Sequence, residues 1–289
     1  MKPVVKGYIY GTLSAVSYGT NPMFALPLYA VGLTAASVLV YRYLAAALIM
    51  ALMMAYGRRS LRLSGRELPL TVIAGCLIAL SSIFLFEAYR VMDVGLASTL
   101  LFVQPVLLAI ILRVFFKERI TARTMVSIAV CVAGVAFLCN PGEGANVSAR
   151  GIVLVLMSAL SYAVYLLMVN RTRLSRMDSA KLTFYALAFG QIILCAYSGC
   201  YTRLQGVPAD WLLWGCVIGI ALFPTILSFS TVNLALRFVG PIPVAILGAL
   251  EPITGLIIGV MLFGEVLTLR ALVGVVLILF AVIILVTRR

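Results

Sequence analysis

Glu251 is the carboxylate placed most deeply in an apolar stretch, about ten residues into it, and Gln104 lies equally deep in an earlier stretch. A charged side chain at such depth costs about 2.5–3.5 kcal/mol on insertion scales, so it needs a partner or a function. We expect Glu251 to bind a cationic substrate group or to carry a coupling proton, because desolvation disfavours its charged form. A protonated Glu251 that donates one structural hydrogen bond is the alternative. Pro105 and Pro252 follow the two polar residues, and each is expected to free a backbone carbonyl and kink its helix.

Arg42 is the second buried ionisable candidate and lies about eight residues inside its own apolar stretch. Glu87 lies at a comparable though shallower depth in the next stretch. An ion pair between Arg42 and Glu87 would spare both groups unpaired burial, and this is the predicted arrangement. Alternatively, the planar guanidinium of Arg42 could clamp a substrate carboxylate.

Four further polar or aromatic residues are candidates for lining a binding site. Asn21, followed by Pro22, interrupts the first apolar stretch. An interrupted helix exposes backbone groups that can line a site, and a plain kink is the alternative. Tyr18 and Tyr162 lie near the middle of their stretches and could bracket a ligand, with ordinary packing as the alternative. Gln191 could also line a site, again with an ordinary structural role as the alternative.

The elements that carry these residues are set by composition. Of the 289 residues, 64% are hydrophobic and 11% are charged, against about 25% charged in soluble domains. Such a chain suits a bilayer rather than water. A helix needs about 20 apolar residues to cross the hydrocarbon layer, and open strands would leave unpaired backbone groups there. Ten stretches qualify, at 6–29, 34–56, 68–89, 94–116, 121–139, 151–170, 180–201, 211–235, 241–263 and 268–287.

Several function classes are excluded or disfavoured. The sequence contains no histidine, which excludes histidine-dependent catalytic triads and HExxH metal sites. The six cysteines form no C-x-x-C pair, so we expect no metal and no cofactor. The net charge of +13 comes from short Lys and Arg clusters between apolar stretches, which is typical of a topology signal rather than of nucleic-acid binding.

The basic residues predict the orientation. With the N-terminus in the cytoplasm, sixteen Lys and Arg residues lie inside: Lys2, Lys6, Arg58, Arg59, Arg62, Arg66, Lys117, Arg119, Arg123, Arg171, Arg173, Arg176, Lys181, Arg237, Arg288 and Arg289. Only four lie outside: Arg90, Arg150, Arg203 and Arg270. Both termini are therefore expected in the cytoplasm.

The two halves of the chain resemble one another. QPVLLAIILRVFFKERIT at 104–121 aligns with EPITGLIIGVMLFGEVLT at 251–268, and Ser14 and Tyr18 align with Ser158 and Tyr162. Five spans per half is an odd number, so the second half must enter the membrane from the opposite side. This predicts two inverted five-helix repeats, 1–145 and 146–289, with a substrate site near the midplane between them.

The repeated pattern resembles the EamA-type module of the drug/metabolite transporter superfamily. The shared features are a polar residue before a mid-helix proline, then a Glu such as Glu118 or Glu265, then a Thr that opens the next span, together with GYIYGTLSAVSYGTNPMF and LVYRYLAAALI. The first half departs from it, with Lys117 where the second half has Gly264. The resemblance implies a ten-helix all-α bundle around a central cavity, and export of amino acids or related compounds by alternating access.

The sequence therefore predicts a multi-pass transporter of the cell membrane, a monomer or homodimer, whose partners are the bilayer, a small metabolite and a coupling proton. An integral-membrane enzyme acting on a lipid or a lipid-linked sugar is the alternative. Such enzymes present acidic or His clusters at the interface, whereas Asp93, Glu143, Asp178 and Asp210 are far apart in this sequence.

Overall fold

A computed structural model describes residues 2–58, 61–88, 91, 100–138, 148–263 and 269–286. This part of the chain is helical and contains no strand. The helices are Pro3–Gly19 (α1), Asn21–Ala30 (α2), Ala35–Tyr56 (α3), Leu68–Ala88 (α4), Gln104–Phe115 (α5), Ala122–Leu138 (α6), Ala149–Arg171 (α7), Ser179–Tyr197 (α8), Trp211–Ala221 (α9), Ser228–Val239 (α10), Pro241–Leu247 (α11), Leu250–Phe263 (α12) and Leu269–Val286 (α13).

Five helical segments are long and apolar enough to cross a membrane. They are α3, α4, α7, α8 and the continuous segment Trp211–Val239, which joins α9 to α10. Shorter apolar helices occupy the fourth, fifth, ninth and tenth predicted spans, and α1 and α2 occupy the first. The all-helical membrane fold expected from composition is thus confirmed, while the number of ten spans and their orientation stay predictions.

Among the described residues, helix breaks fall within four of the predicted spans, and in the fourth a turn at Phe102 and Val103 precedes α5. The first span divides into α1 and α2 at Thr20, and the ninth divides into α11 and α12 at Gly248 and Ala249. In the eighth, a six-residue π-helical turn, Leu222–Leu227, separates α9 from α10. The break beside Asn21 was expected from the sequence, and the π turn was not.

The helices pack in pairs that mirror one another between the halves. α1 packs on α10, and in the corresponding way α7 packs on α4. α3 packs on α8 and α6 packs on α13, so each of these two pairs joins one helix from each half. In the first pair Ser14 Oγ donates to the carbonyl of Ser228 at 3.0 Å, and in the second Ser158 Oγ donates to the carbonyl of Ser81 at 2.7 Å. Ser14 aligns with Ser158, and the offset from Ser81 to Ser228 is the one that relates Gln104 to Glu251.

The contact between α6 and α13 depends on small residues, as expected for helices packing in a bilayer. A Cβ atom on Gly134 would lie 3.0 Å from the carbonyl oxygen of Gly274. Ser127 Oγ donates to the carbonyl of Ala281 at 2.8 Å. The apolar core between these two helices includes Ile128, Val135 and Ile278, and it extends to Ala109 of α5 and Ile246 of α11.

Candidate functional site

The break between α1 and α2 places Asn21 at a helix start. Thr20 Oγ1 donates to the carbonyl of Ser17 at 2.7 Å, which satisfies one of the acceptors left at the end of α1. Asn21 begins α2, and its half-buried side chain is directed to the guanidinium of Arg42. The interruption therefore supplies a polar group inside an otherwise apolar segment.

The π turn supplies two more polar groups, and Pro224 explains how. Proline has no backbone N–H, so the carbonyl of Ile220, four residues earlier, loses its usual donor. The hydroxyl of Thr225 donates to this carbonyl at 2.7 Å. Single π turns inside α-helices occur frequently at functional sites. Here the turn leaves both the Thr225 hydroxyl and the Pro224 carbonyl available to a neighbouring helix.

Arg42 of α3 bonds to both interrupted helices. Its Nε donates to Thr225 Oγ1 at 2.7 Å, one terminal nitrogen donates to the Pro224 carbonyl at 3.1 Å, and the other donates to Asn21 Oδ1 at 3.3 Å. The guanidinium carbon lies 5.4 Å from the ring centroid of Tyr18, within the range of a cation–π interaction. Arg42 is only 2% exposed. These four contacts are with neutral groups, so they orient the cation without neutralising it.

Glu251 lies in the first turn of α12, where the positive end of the helix favours a carboxylate. Gly19 allows α1 to approach this turn closely, since a Cβ at position 19 would lie 2.6 Å from the Glu251 carbonyl oxygen. Arg42 and Glu251 interact electrostatically, and the charge of Glu251 also acts on Tyr18 and Tyr162. Within the described residues, the Glu251 carboxylate makes no hydrogen bond or ion pair.

Aromatic rings flank the charged groups. Tyr18 stacks on Phe229 of α10, with ring centroids 6.5 Å apart. Tyr162 stacks on Tyr165 of α7 at 5.9 Å. The Tyr165 hydroxyl donates to Asn233 Oδ1 of α10 at 2.7 Å, which fixes the position of the ring. We refer to Tyr18, Asn21, Arg42, Tyr162 and Glu251 as the central cluster.

The predicted ion pair between Arg42 and Glu87 is wrong. The donors of Arg42 are directed to α2 and the π turn, as described above, whereas Glu87 Oε1 accepts a hydrogen bond from the hydroxyl of Tyr197 in α8. The prediction compared depths along the membrane normal, and depth does not say which way a side chain points around its helix axis. The alternative interpretation of Arg42, as a clamp for a substrate carboxylate, stays a prediction.

The other two predicted site residues lie outside these contacts. Gln104 is the first residue of α5, and its Nε2 is buried without a hydrogen-bond partner among the described residues. In Gln191 of α8, both the amide nitrogen and the amide oxygen are buried without such a partner. Neither residue contacts a member of the central cluster through any described hydrogen bond.

Thr225 and Pro224 were missed by the sequence reasoning, which treated 211–235 as one regular helix. A signal was present, since a proline followed by a hydroxyl residue in the middle of an apolar span predicts a local break with a replacement donor. Tyr43 was also missed. Its side chain is fully buried one position after Arg42, and its hydroxyl lies 3.0 Å from Ser82 Oγ.

Comparison with known proteins identifies the family. Residues 5–140 and 149–287 each match the EamA-like transporter family. The chain belongs to this family. The EamA-like family is part of the drug/metabolite transporter superfamily, so the resemblance drawn from the sequence is confirmed.

Individual relatives are also named as transporters. Two uncharacterized transporters of Archaeoglobus fulgidus are 29% and 26% identical to this chain. The first match covers 66% of this chain and 67% of the relative, and the second covers 79% and 81%. The uncharacterized transporter YvbV of Bacillus subtilis is 31% identical over 38% of this chain and 35% of its own length. One solved structure, named only as a crystal structure of a protein, matches this chain with a TM-score of 0.82 at 15% identity. The match covers 97% of this chain and 96% of the other, so the two share a fold.

As an EamA-like protein, the chain is a multi-pass protein of the cell membrane with a role in membrane transport. A transporter of this kind acts on a small-molecule substrate within a lipid bilayer. Membership in a transporter family also favours transport over the lipid-modifying enzyme considered as the alternative.

Proposed function

We propose that this protein is a secondary transporter that exports an amino acid or a related small metabolite by alternating access, with the central cluster as its substrate and coupling site. The observation that carries this proposal is the placement of a cation and a carboxylate together between interrupted helices. Arg42 is oriented by neutral groups, and Glu251 has no hydrogen-bond or ion-pair partner among the described residues.

This arrangement suits a substrate that carries both a carboxylate and an ammonium group. Three of the five N–H groups of Arg42 are used in the described hydrogen bonds, so the guanidinium retains donors for a substrate carboxylate. Glu251 can accept an ammonium group or a proton. The rings of Tyr18 and Tyr162 would bracket the rest of the ligand. Gln104, whose amide nitrogen lacks a described hydrogen-bond partner, and Gln191 are candidates for contacts in another conformation.

The proposal includes two inverted five-helix repeats, 1–145 and 146–289, ten spans, and both termini in the cytoplasm. The paired hydrogen bonds Ser14–Ser228 and Ser158–Ser81 support it, because a pseudo-twofold axis would relate one to the other. Alternating access then follows as rocking of one repeat against the other around a fixed site.

Purified protein in liposomes should exchange internal labelled substrate against a panel of external amino acids and related metabolites. Arg42→Lys keeps the charge but loses the planar fork, so it should weaken exchange of carboxylate-bearing substrates. Lys181→Arg, a charge-preserving change in a residue that pairs with Glu67 outside the central cluster, is the matched control. Transfer or hydrolysis of a lipid-linked sugar without exchange of any compound would favour the enzyme instead.

A further inference from the structure

A cavity of about 270 Å³ lies away from the central cluster. Its lining residues lie at the start of α1 and α6 and at the end of α10 and α13. The cavity is therefore at the end of the bundle that carries both chain termini. None of the central-cluster residues lines it.

One part of the lining is apolar. Val4 of α1, Phe238 of α10, Ile242 of α11 and Ile284 of α13 contribute to it. The exposed surfaces of α1 and α13 beyond the cavity are also apolar, with Val5 43% and Ile283 59% exposed, as expected for helices that face lipid. An occupant with a hydrocarbon portion would therefore find apolar surface both in the cavity and beside it.

The other part of the lining is basic. Arg119 and Arg123 are both exposed, and neither has an ion-pair partner among the described residues. The one acidic residue in the described lining, Glu118, is paired with Arg171, whose guanidinium also lies 5.3 Å from the ring centroid of Phe116. The carboxylate is therefore already neutralised, and the cavity keeps an excess of positive charge.

Hydroxyl groups lie beside the two arginines. Thr121 and Thr124 both line the cavity, and their hydroxyl oxygens lie 2.8 Å apart. Thr121 Oγ1 also accepts from the backbone N–H of Thr124 at 3.3 Å, which caps the start of α6. Guanidinium and hydroxyl groups together are the donors that bind phosphate oxygens in proteins.

We propose that this cavity binds the phosphate headgroup of an anionic phospholipid from the leaflet on the side of the chain termini, with Arg119 and Arg123 as the phosphate ligands. Basic pockets between transmembrane helices on the cytoplasmic side bind anionic headgroups in this way. An anionic phosphodiester fits the charge better than a zwitterionic one, because the ammonium group of the latter would meet an excess of cations and a carboxylate that is already paired. The bound lipid would join α1, α6, α10 and α13.

The experiment uses the full-length protein in neutral detergent with short-chain phosphatidylglycerol or short-chain phosphatidylcholine as the probe. Binding is followed by native mass spectrometry and by the shift in unfolding temperature, which increases with the concentration of a ligand that binds the folded state. Phosphatidylglycerol should bind and raise the unfolding temperature, whereas phosphatidylcholine should not. The effect should weaken as sodium chloride is added, because the contacts are ionic.

The double variant Arg119→Gln/Arg123→Gln should bind phosphatidylglycerol about twenty-five-fold more weakly, since each basic group near an anionic surface contributes roughly fivefold. Arg173→Gln/Arg176→Gln is the matched control, because it removes two exposed charges of the chain that do not line the cavity. Arg119→Lys/Arg123→Lys should keep most of the binding and guards against misfolding of the glutamine variant.

Three results would overturn the proposal. An equal loss of phosphatidylglycerol binding in the cavity variant and the control variant would mean that general surface charge attracts the lipid. Equal binding of phosphatidylcholine would mean that the cavity does not select charge. Stabilisation by inorganic phosphate that matches that by phosphatidylglycerol, with the same dependence on Arg119 and Arg123, would mean that the occupant is a soluble phosphate rather than a lipid.

Discussion

Replacing Thr225 with valine keeps the shape of the side chain but removes the hydroxyl that joins Arg42 to the π turn. Two contacts are lost, since the hydroxyl accepts from Arg42 Nε at 2.7 Å and donates to the Ile220 carbonyl at 2.7 Å. Thr225 is fully buried, so no water replaces them in the described packing. A hydrogen bond to a charged group contributes about 1.5–3 kcal/mol in soluble proteins, whereas pairs in membrane proteins average about 0.6 kcal/mol. We expect Thr225→Val to lower the free energy of unfolding by about 1–3 kcal/mol.

The assay is unfolding of purified protein in mixed micelles as the fraction of denaturing detergent increases, followed by circular dichroism. Thr225→Ser is the control, because it keeps the hydroxyl and loses one methyl group, at about 1 kcal/mol or less. A double-mutant cycle with Arg42→Met isolates the contact itself. The valine change should cost about 1 kcal/mol less when Arg42 is already absent. Equal costs in both backgrounds would refute the assignment of Thr225 as a partner of Arg42.

Two further predictions concern close packing and topology. Gly19→Ala should destabilise the protein by about 1–3 kcal/mol and impair transport, because the added Cβ meets the Glu251 carbonyl oxygen at 2.6 Å. Gly215→Ala is the control and should be neutral or stabilising, because a Cβ there meets nothing within 4 Å. An equal fall in unfolding temperature for both variants would contradict the assignment of Gly19 as a close-packing residue. A reporter active only in the cytoplasm should give signal when fused after Arg289 and none when inserted within 142–149. The reverse pattern would contradict the inverted repeat.

The helical membrane fold could be predicted because apolar length and composition determine it. The break at Thr20 could also be predicted, since Pro22 has no backbone N–H to continue the hydrogen bonds of α1. The partner of Arg42 could not, because hydropathy gives the depth of a side chain but neither the rotation of its helix nor the neighbouring helix. The π turn depends on how Thr225 satisfies the Ile220 carbonyl, which is a property of the folded backbone. The repeat pointed to Tyr18 as a candidate site residue, and its contact with Arg42 was not foreseen.

The cavity lined by Arg119 and Arg123 could not be predicted from the sequence either. Arg119 and Arg123 read as topology signals when only the charge of their loop is considered. Their position beside α1, α10 and α13, which lie far away along the chain, appears only once the helices are packed together.

The central claim is that Glu251 couples substrate movement to protons, and the most direct test is accumulation of substrate by proteoliposomes under an imposed proton gradient. Glu251→Gln keeps the shape and hydrogen-bonding capacity of the side chain but cannot titrate. Glu67→Gln, in a residue that pairs with Lys181 outside the central cluster, is the matched control. We expect the Glu251→Gln variant to exchange substrate at equal pH and to lose gradient-driven accumulation, while Glu67→Gln retains both. Accumulation by Glu251→Gln with the pH dependence of the unaltered protein would contradict the claim and leave Glu251 as a structural residue.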